Sequence, residues 1–241
     1  MLNKTAALLI ILFFIIPSGI KAGISVGINA GLTHDQNNLE PEISSVNSRM
    51  QKYVKDNPGT DITPINIPYT PVFGANIRMI AGAFLLRTGV HYAEPLMYPS
   101  TGHVSPGGNE NEIKFRSYSL SIPITLCLTL SAGFNTSVYF GAGAGLHYSY
   151  LKITQSDPGG GFYEPDVDVL SYKTRHYGWN CITGIEIPIS DRITVTAEWL
   201  YQNAVSGSVE NRRGGGGNPR SLDSSYSIIL FGVNYYLRPN L

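Results

Sequence analysis

Thr136 to Ile153 reads TSVYFGAGAGLHYSYLKI, and its two interleaved sets of residues differ in kind. Val138, Phe140, Ala142, Ala144, Leu146, Tyr148 and Tyr150 are apolar or aromatic, whereas Gly141, Gly143, Gly145, His147 and Ser149 are small or polar. A period of two places these sets on opposite faces of one β-strand. One face meets a greasy surrounding and the other a polar one.

The pattern recurs in about eight segments. They are Gly23 to Leu32, Thr70 to Ile80, Ala83 to Glu94, Ile113 to Leu126, Thr136 to Ile153, Ser171 to Ile187, Arg192 to Gln202 and Tyr226 to Leu237. The gaps between them alternate. Long ones fall near 33–69, 95–112, 154–170 and 203–225, and short ones at Gly82, at 131–135 and at Pro188 to Asp191. All long connections then lie at one end of the sheet and all short ones at the other. A strand crosses a bilayer in about 9–11 residues, and an even number of strands returns both termini to the same side. The reading is therefore all-β: an eight-stranded antiparallel up-and-down transmembrane β-barrel over 23–241, with its long loops outside the cell. A soluble lipocalin-like barrel is the structural alternative, and it would carry its apolar residues inside.

Residues 1–22 read as a cleaved signal peptide. Lys4 supplies the positive start, Ala6 to Ile16 an uncharged apolar run, and Pro17, Ser18 and Gly19 a break, with Ala22 as the last residue before cleavage. The run is shorter than the ~20 residues of a membrane helix, and no later run approaches that length. Export and barrel patterning together predict the bacterial outer membrane. Net charge is +0, with 17 basic and 17 acidic residues, so nothing favours nucleic acid as a partner. Cys127 and Cys181 fall on segments that are not neighbours and read as free thiols. Pro123 interrupts a strand, which predicts a local bulge or distortion of the ladder.

Aromatic residues gather at strand ends, as an interfacial girdle requires. Tyr92, Tyr118, Tyr148, Tyr150, Tyr177, Trp199, Tyr201 and Tyr226 are expected at the outer interface, and Phe84, Phe134, Tyr235 and Tyr236 at the inner one. Arg78, Arg87, Glu186 and Glu198 face inward by parity. A barrel of this size is filled by its own side chains, so these charges are expected to pair and plug the lumen. The other reading of the same residues is a proton or ion path. Lys114, Arg116, Lys152, Lys173 and Arg175 share parity with the outward residues, at the outer ends of the fourth to sixth strands. They are expected to meet lipopolysaccharide phosphates, or else to form a solvated rim. Within the first long loop, Ile43, Val46, Met50, Tyr53 and Val54 recur at helical spacing up to Asn57-Pro58-Gly59, which predicts a short helix over the barrel mouth.

Ile229-Leu230-Phe231-Gly232-Val233-Asn234-Tyr235-Tyr236-Leu237 resembles the closing strand of small outer-membrane barrels. By architecture, Gly23 to Leu237 resembles the OmpA/OmpX-like outer-membrane β-barrel superfamily. In that family an aromatic residue usually ends the chain, whereas here Arg238-Pro239-Asn240-Leu241 follows. No peptidoglycan-binding domain is recognised after the barrel, so tethering to the cell wall is not expected. His147-Tyr148-Ser149 is similar to the His-x-Ser pair of lipid A deacylase barrels. In those enzymes the pair faces lipid, whereas parity here turns it into the lumen. Glu164 and Asp166 fall in a loop, leaving no acid suitably placed on the next strand.

No catalytic residue, metal ligand or cofactor is therefore expected. The histidines lack zinc spacing, and the glycine runs precede no phosphate-cradling helix. The expected function is that of a monomeric, non-enzymatic integral outer-membrane protein. Its partners are membrane lipids and an unknown extracellular ligand, and its exposed loops serve envelope structure or adhesion. A narrow channel and a lipid A-modifying hydrolase are the alternatives.

Overall fold

A computed structural model describes residues 22–34, 40–56, 58, 61–66, 69–94, 100–105, 111–133, 135–155, 169–204, 210–211 and 225–237. Among these residues no helix is long and apolar enough to cross a membrane. The chain runs β1 (Ala22–Thr33), α1 (Glu40–Asp56), β2 (Asp61–Thr63), β3 (Thr70–Ala81), β4 (Phe84–Ala93), β5 (Ser100–Ser105), β6 (Asn111–Gly133), β7 (Thr136–Gln155), β8 (Val169–Pro188), β9 (Ile193–Ala204), β10 (Glu210–Asn211) and β11 (Tyr226–Tyr236).

Eight of these strands close a ring in the order β1, β3, β4, β6, β7, β8, β9, β11, with every neighbouring pair antiparallel. Closure leaves no strand edge within the wall, which is the condition for strands to cross a bilayer. The short connections are tight turns: Gly82 takes φ 60°, Gly133 takes φ 87°, and Asn135 takes φ 58°. At the third, the Ile189 amide donates to the Ile193 carbonyl at 2.8 Å.

The period-two pattern is realised strand by strand. On β1, Ile24, Val26, Ile28 and Leu32 are exposed while Ser25 and Asn29 are buried. On β11, Ile229, Phe231, Val233 and Tyr235 point out and Ile228, Leu230 and Asn234 point in. A molecule that buries Arg, Glu, Asn and Ser and exposes Ile, Phe and Trp is inverted relative to a soluble barrel. Such a wall belongs in hydrocarbon.

Several expectations need correction. Tyr226 and Tyr236 are not girdle residues: they are 5% and 2% exposed and turn into the lumen, because they share parity with Ile228 and Asn234. Phe134 and the region 1–21 lie outside the described residues, as do Glu164, Asp166 and 238–241. At Pro123 the expected irregularity is a gap in the ladder with β4, not a bulge. The residue sits opposite Gly145 in an unshifted ladder with β7, and the Gly89–Pro123 and Val90–Ile122 pairs with β4 are missing where the proline lacks an N–H. The β6–β7 register shifts at Ser131/Gly133 instead.

β6, β7 and β8 rise beyond the other strands into an outer sheet. β5 joins it beside β6, β2 beside β5, and β10 beside β8. The helix expected over the mouth forms as α1. Its Ile43, Val46 and Met50 enter one apolar cluster with Ile65 and with Ile113, Phe115, Leu151 and Ile153, the inward residues of β6 and β7 above the rim. The Asn47 side chain pins the 61–66 segment to the helix, donating to the Ile65 carbonyl at 2.9 Å and accepting from its amide at 2.8 Å. The helix therefore covers the inward side of the outer sheet, over the barrel mouth.

Candidate functional site

Two features gather chemistry: the lumen and the outward face of β6–β8. In the lumen, Arg78 on β3 and Arg87 on β4 are register partners. Glu186 on β8 and Glu198 on β9 stand on the opposite side of the ring. In a ring of eight strands, β3 is four places from β8 and β4 is four places from β9. Each arginine thus spans the diameter.

Arg78 Nη2 reaches Glu186 Oε2 at 2.9 Å. Arg87 grips Glu198 with two donors, Nε to Oε1 at 3.1 Å and Nη2 to Oε2 at 2.7 Å. Both guanidinium side chains are fully buried. Each carboxylate gathers further donors. Thr194 and Tyr236 donate to Glu186 Oε1 at 2.6 and 2.8 Å, and Tyr139 donates to Glu198 Oε1 at 2.5 Å.

Tyr139 ties the two pairs together. Its ring lies 5.1 Å beneath the Arg78 guanidinium carbon while its hydroxyl serves Glu198. The ring can lie there because the strand it crosses has Gly184, where a Cβ would come within 2.6 Å of Tyr139 Cζ. Buried charges persist when paired and hydrogen-bonded on several sides, and this network meets that condition at both carboxylates. Higher in the lumen, Thr125 donates to Asn180 at 2.7 Å, Gln202 donates to Ser121 at 3.3 Å, and the Tyr226 hydroxyl meets Ser119 and Ser121 across the ring.

Tyr139, Tyr226 and Tyr236 were absent from the sequence-derived lumen set. Parity was the available signal, since Tyr226 and Tyr236 are out of phase with Ile229 to Tyr235, and Tyr139 with Val138 and Phe140.

His147 and Ser149 are buried and lumen-facing on β7. Neither ring nitrogen of His147 has a protein hydrogen-bond partner, so no base-to-nucleophile bond joins it to Ser149. No group of three or more His, Cys, Asp or Glu able to hold a metal occurs among the described residues. Cys127 is buried and Cys181 half-exposed, both as free thiols.

The five outward cations occupy one side of the wall but not one environment. Arg116 faces Lys152 across the β6–β7 ladder. It is held by Glu94, with Nη2 at 2.7 Å and Nε at 3.2 Å from the same Oε1. Glu94, just beyond β4, also accepts the Tyr92 hydroxyl. That hydrogen bond, and then Arg116, hold its carboxyl below the usual carboxylate range. Lys173 Nζ lies 5.6 Å from the Tyr150 ring centroid. The Arg175 guanidinium sits between two rings, 5.6 Å from Tyr148 and 5.3 Å from Tyr177, and donates to the Tyr177 hydroxyl at 2.8 Å. Tyr118 stacks on Tyr150 at 4.7 Å, extending the aromatic floor onto β6. Lys114 lies farther out, opposite Thr154.

No protein-family model matches the chain, and no curated protein sequence matches it. Solved structures do. A major outer membrane protein from Thermus thermophilus superposes with a TM-score of 0.52 at 10% identity, over 90% of this chain and 99% of that one. Neisserial surface protein A gives a TM-score of 0.49 at 10% identity, over 89% and 97% of the two chains. Ail, the attachment invasion locus protein of Yersinia pestis, gives 0.46 at 9% identity, over 90% and 99%. Identity this low carries the fold and no more. The fold is that of the small eight-stranded outer-membrane β-barrels.

Proposed function

We propose that this bacterial outer-membrane β-barrel is a non-conducting, non-catalytic surface protein. Its wall serves as a pedestal, and its outer sheet with α1 serves envelope structure or the binding of an extracellular ligand. One observation carries this reading. The lumen is crossed at its diameter by two arginine–glutamate pairs, Arg78–Glu186 and Arg87–Glu198, which Tyr139 links into one plug. A second closure, the apolar contact of α1 with the inward residues of β6 and β7, lies above it. A tube closed twice favours display over passage. The unbonded His147 gives no support to hydrolysis, because general-base activation needs the base within hydrogen-bond reach of its nucleophile.

Planar-bilayer recording tests the proposal. The wild-type protein should give no stepwise conductance, and Arg87→Ala, which removes one spanning side chain, should give measurable steps or raised leak. Discrete wild-type steps whose ion selectivity changes on substituting Arg78 or Arg87 would establish a channel instead.

A further inference from the structure

On β7 and β8 the outward face changes in the same order toward the cell exterior. Leu146 gives way to Tyr148, Tyr150 and then Lys152, and on the next strand Ile185, Trp179 and Tyr177 give way to Arg175 and Lys173. Each outward step of two residues runs about 7 Å along the strand and, at the usual tilt of barrel strands, climbs about 5 Å along the membrane normal. The cations therefore stand one or two steps above the hydrocarbon edge, at the depth of lipid headgroups.

We infer that Lys152, Lys173 and Arg175 form a binding site for the phosphate groups of an outer-leaflet glycolipid of lipopolysaccharide type. The inference rests on the reading of the barrel as an outer-membrane protein.

Three observations select these residues. First, Arg175 and Lys173 are held against tyrosine faces at girdle height, leaving guanidinium and ammonium protons directed at the same depth. A planar guanidinium fork beside two ammonium point charges suits a phosphomonoester. Second, among the described residues no acid lies on the outward face of β7 or β8 themselves, the one acid opposite the site being Glu210 of β10, across the ladder from Lys173, whereas Arg116 is ion-paired with Glu94. That sets Arg116 outside the site, and Lys114 lies a step too far out. Third, the outer ends of β9, β11, β1 and β3 present no outward lysine or arginine among the described residues. The feature is a local site, not a general belt. Its occupant must lay apolar tails along Leu146 and Trp179 while placing anionic groups at the cations, and only a lipid does both.

The test is native mass spectrometry of the purified barrel in detergent with added lipid A, phosphatidylglycerol or inorganic phosphate. Lipid A adducts should form on the wild-type protein. They should fall at least tenfold in K152Q/K173Q/R175Q, fall partly in R175K, and stay unchanged in R192Q, a cation held by Tyr235 at the opposite membrane face. The inference is overturned if the triple variant keeps its lipid A, or if no wild-type adduct forms. Equal, equally sensitive binding of phosphatidylglycerol or free phosphate overturns the glycolipid assignment. Heat-modifiable gel migration and outer-membrane fractionation report the barrel itself. A protein that passes both and binds no lipid A sinks this inference alone, whereas failure of both sinks the reading beneath it.

Discussion

The lower and upper stretches of β6 and β7 share two faces but distribute their chemistry in opposite ways. Below Tyr118 and Tyr150, Ser119, Ser121, His147 and Ser149 point inward, and Leu120, Ile122, Ile124 and Leu146 point outward. Above that level, Ile113, Phe115, Leu151 and Ile153 point inward, while Lys114, Arg116 and Lys152 point outward. The backbone is continuous through the change, and the ladder between the strands does not shift there. What changes is the cover. Lipid covers the outside below, and α1 covers the inside above. A face is apolar wherever something apolar lies against it. One strand pair therefore carries a membrane pattern and a soluble pattern end to end.

The two stretches are also closed by different forces, and that difference can be attacked. The largest effect is expected in the lower lumen. Arg87→Met leaves the Glu198 carboxylate buried without its counter-charge, a loss of about 3–5 kcal/mol. Urea titration read by heat-modifiable migration measures it, and a wild-type midpoint would mean that the pairs do not hold the lower closure. A smaller and more local effect is expected in the upper closure. Met50 is 0% exposed, and Met50→Ala should weaken the α1 cluster by at least about 2 kcal/mol. Amide exchange in α1 should accelerate while the barrel's urea midpoint holds. If the midpoint falls as well, the two closures form one cooperative unit.

The smallest effect concerns the boundary between them, at the Glu94–Arg116 pair. The folded carboxyl of Glu94 is held below its ordinary range, so the pair stabilises at neutral pH, and that contribution disappears as pH falls through the folded value. Glu94→Gln should therefore lower the urea midpoint slightly at pH 7 and leave no difference from wild type well below about pH 4, where an ordinary Glu is protonated. A difference that persists in acid would assign the effect to lost packing, not charge.

The wall was legible because its signal is local and repeated. Every membrane stretch alternates, so parity alone placed Arg78, Arg87, Glu186 and Glu198 inside. Which arginine meets which glutamate was not legible. The partners lie 108 and 111 residues apart, and they are matched by ring closure across the lumen, a property of no single strand. Tyr226 and Tyr236 were misplaced for another reason: tyrosine suits both a girdle and a polar lumen, and residue type outweighed parity. The outer sheet was missed because its inward apolar residues make sense only once α1 is laid over them. The helix itself was visible from Ile43, Val46 and Met50.

β1 pairs with β11, so the wall is sealed by the first and last of the described strands. Until β11 is delivered, the growing sheet has two bare edges, each with a row of unsatisfied amides and carbonyls in or beside hydrocarbon. Neither edge can be satisfied early, because its partner is still missing or lies at the far end of the sequence. The β1–β11 seam is therefore the last pairing that can form, and both edges of the unfinished sheet need shielding until it does.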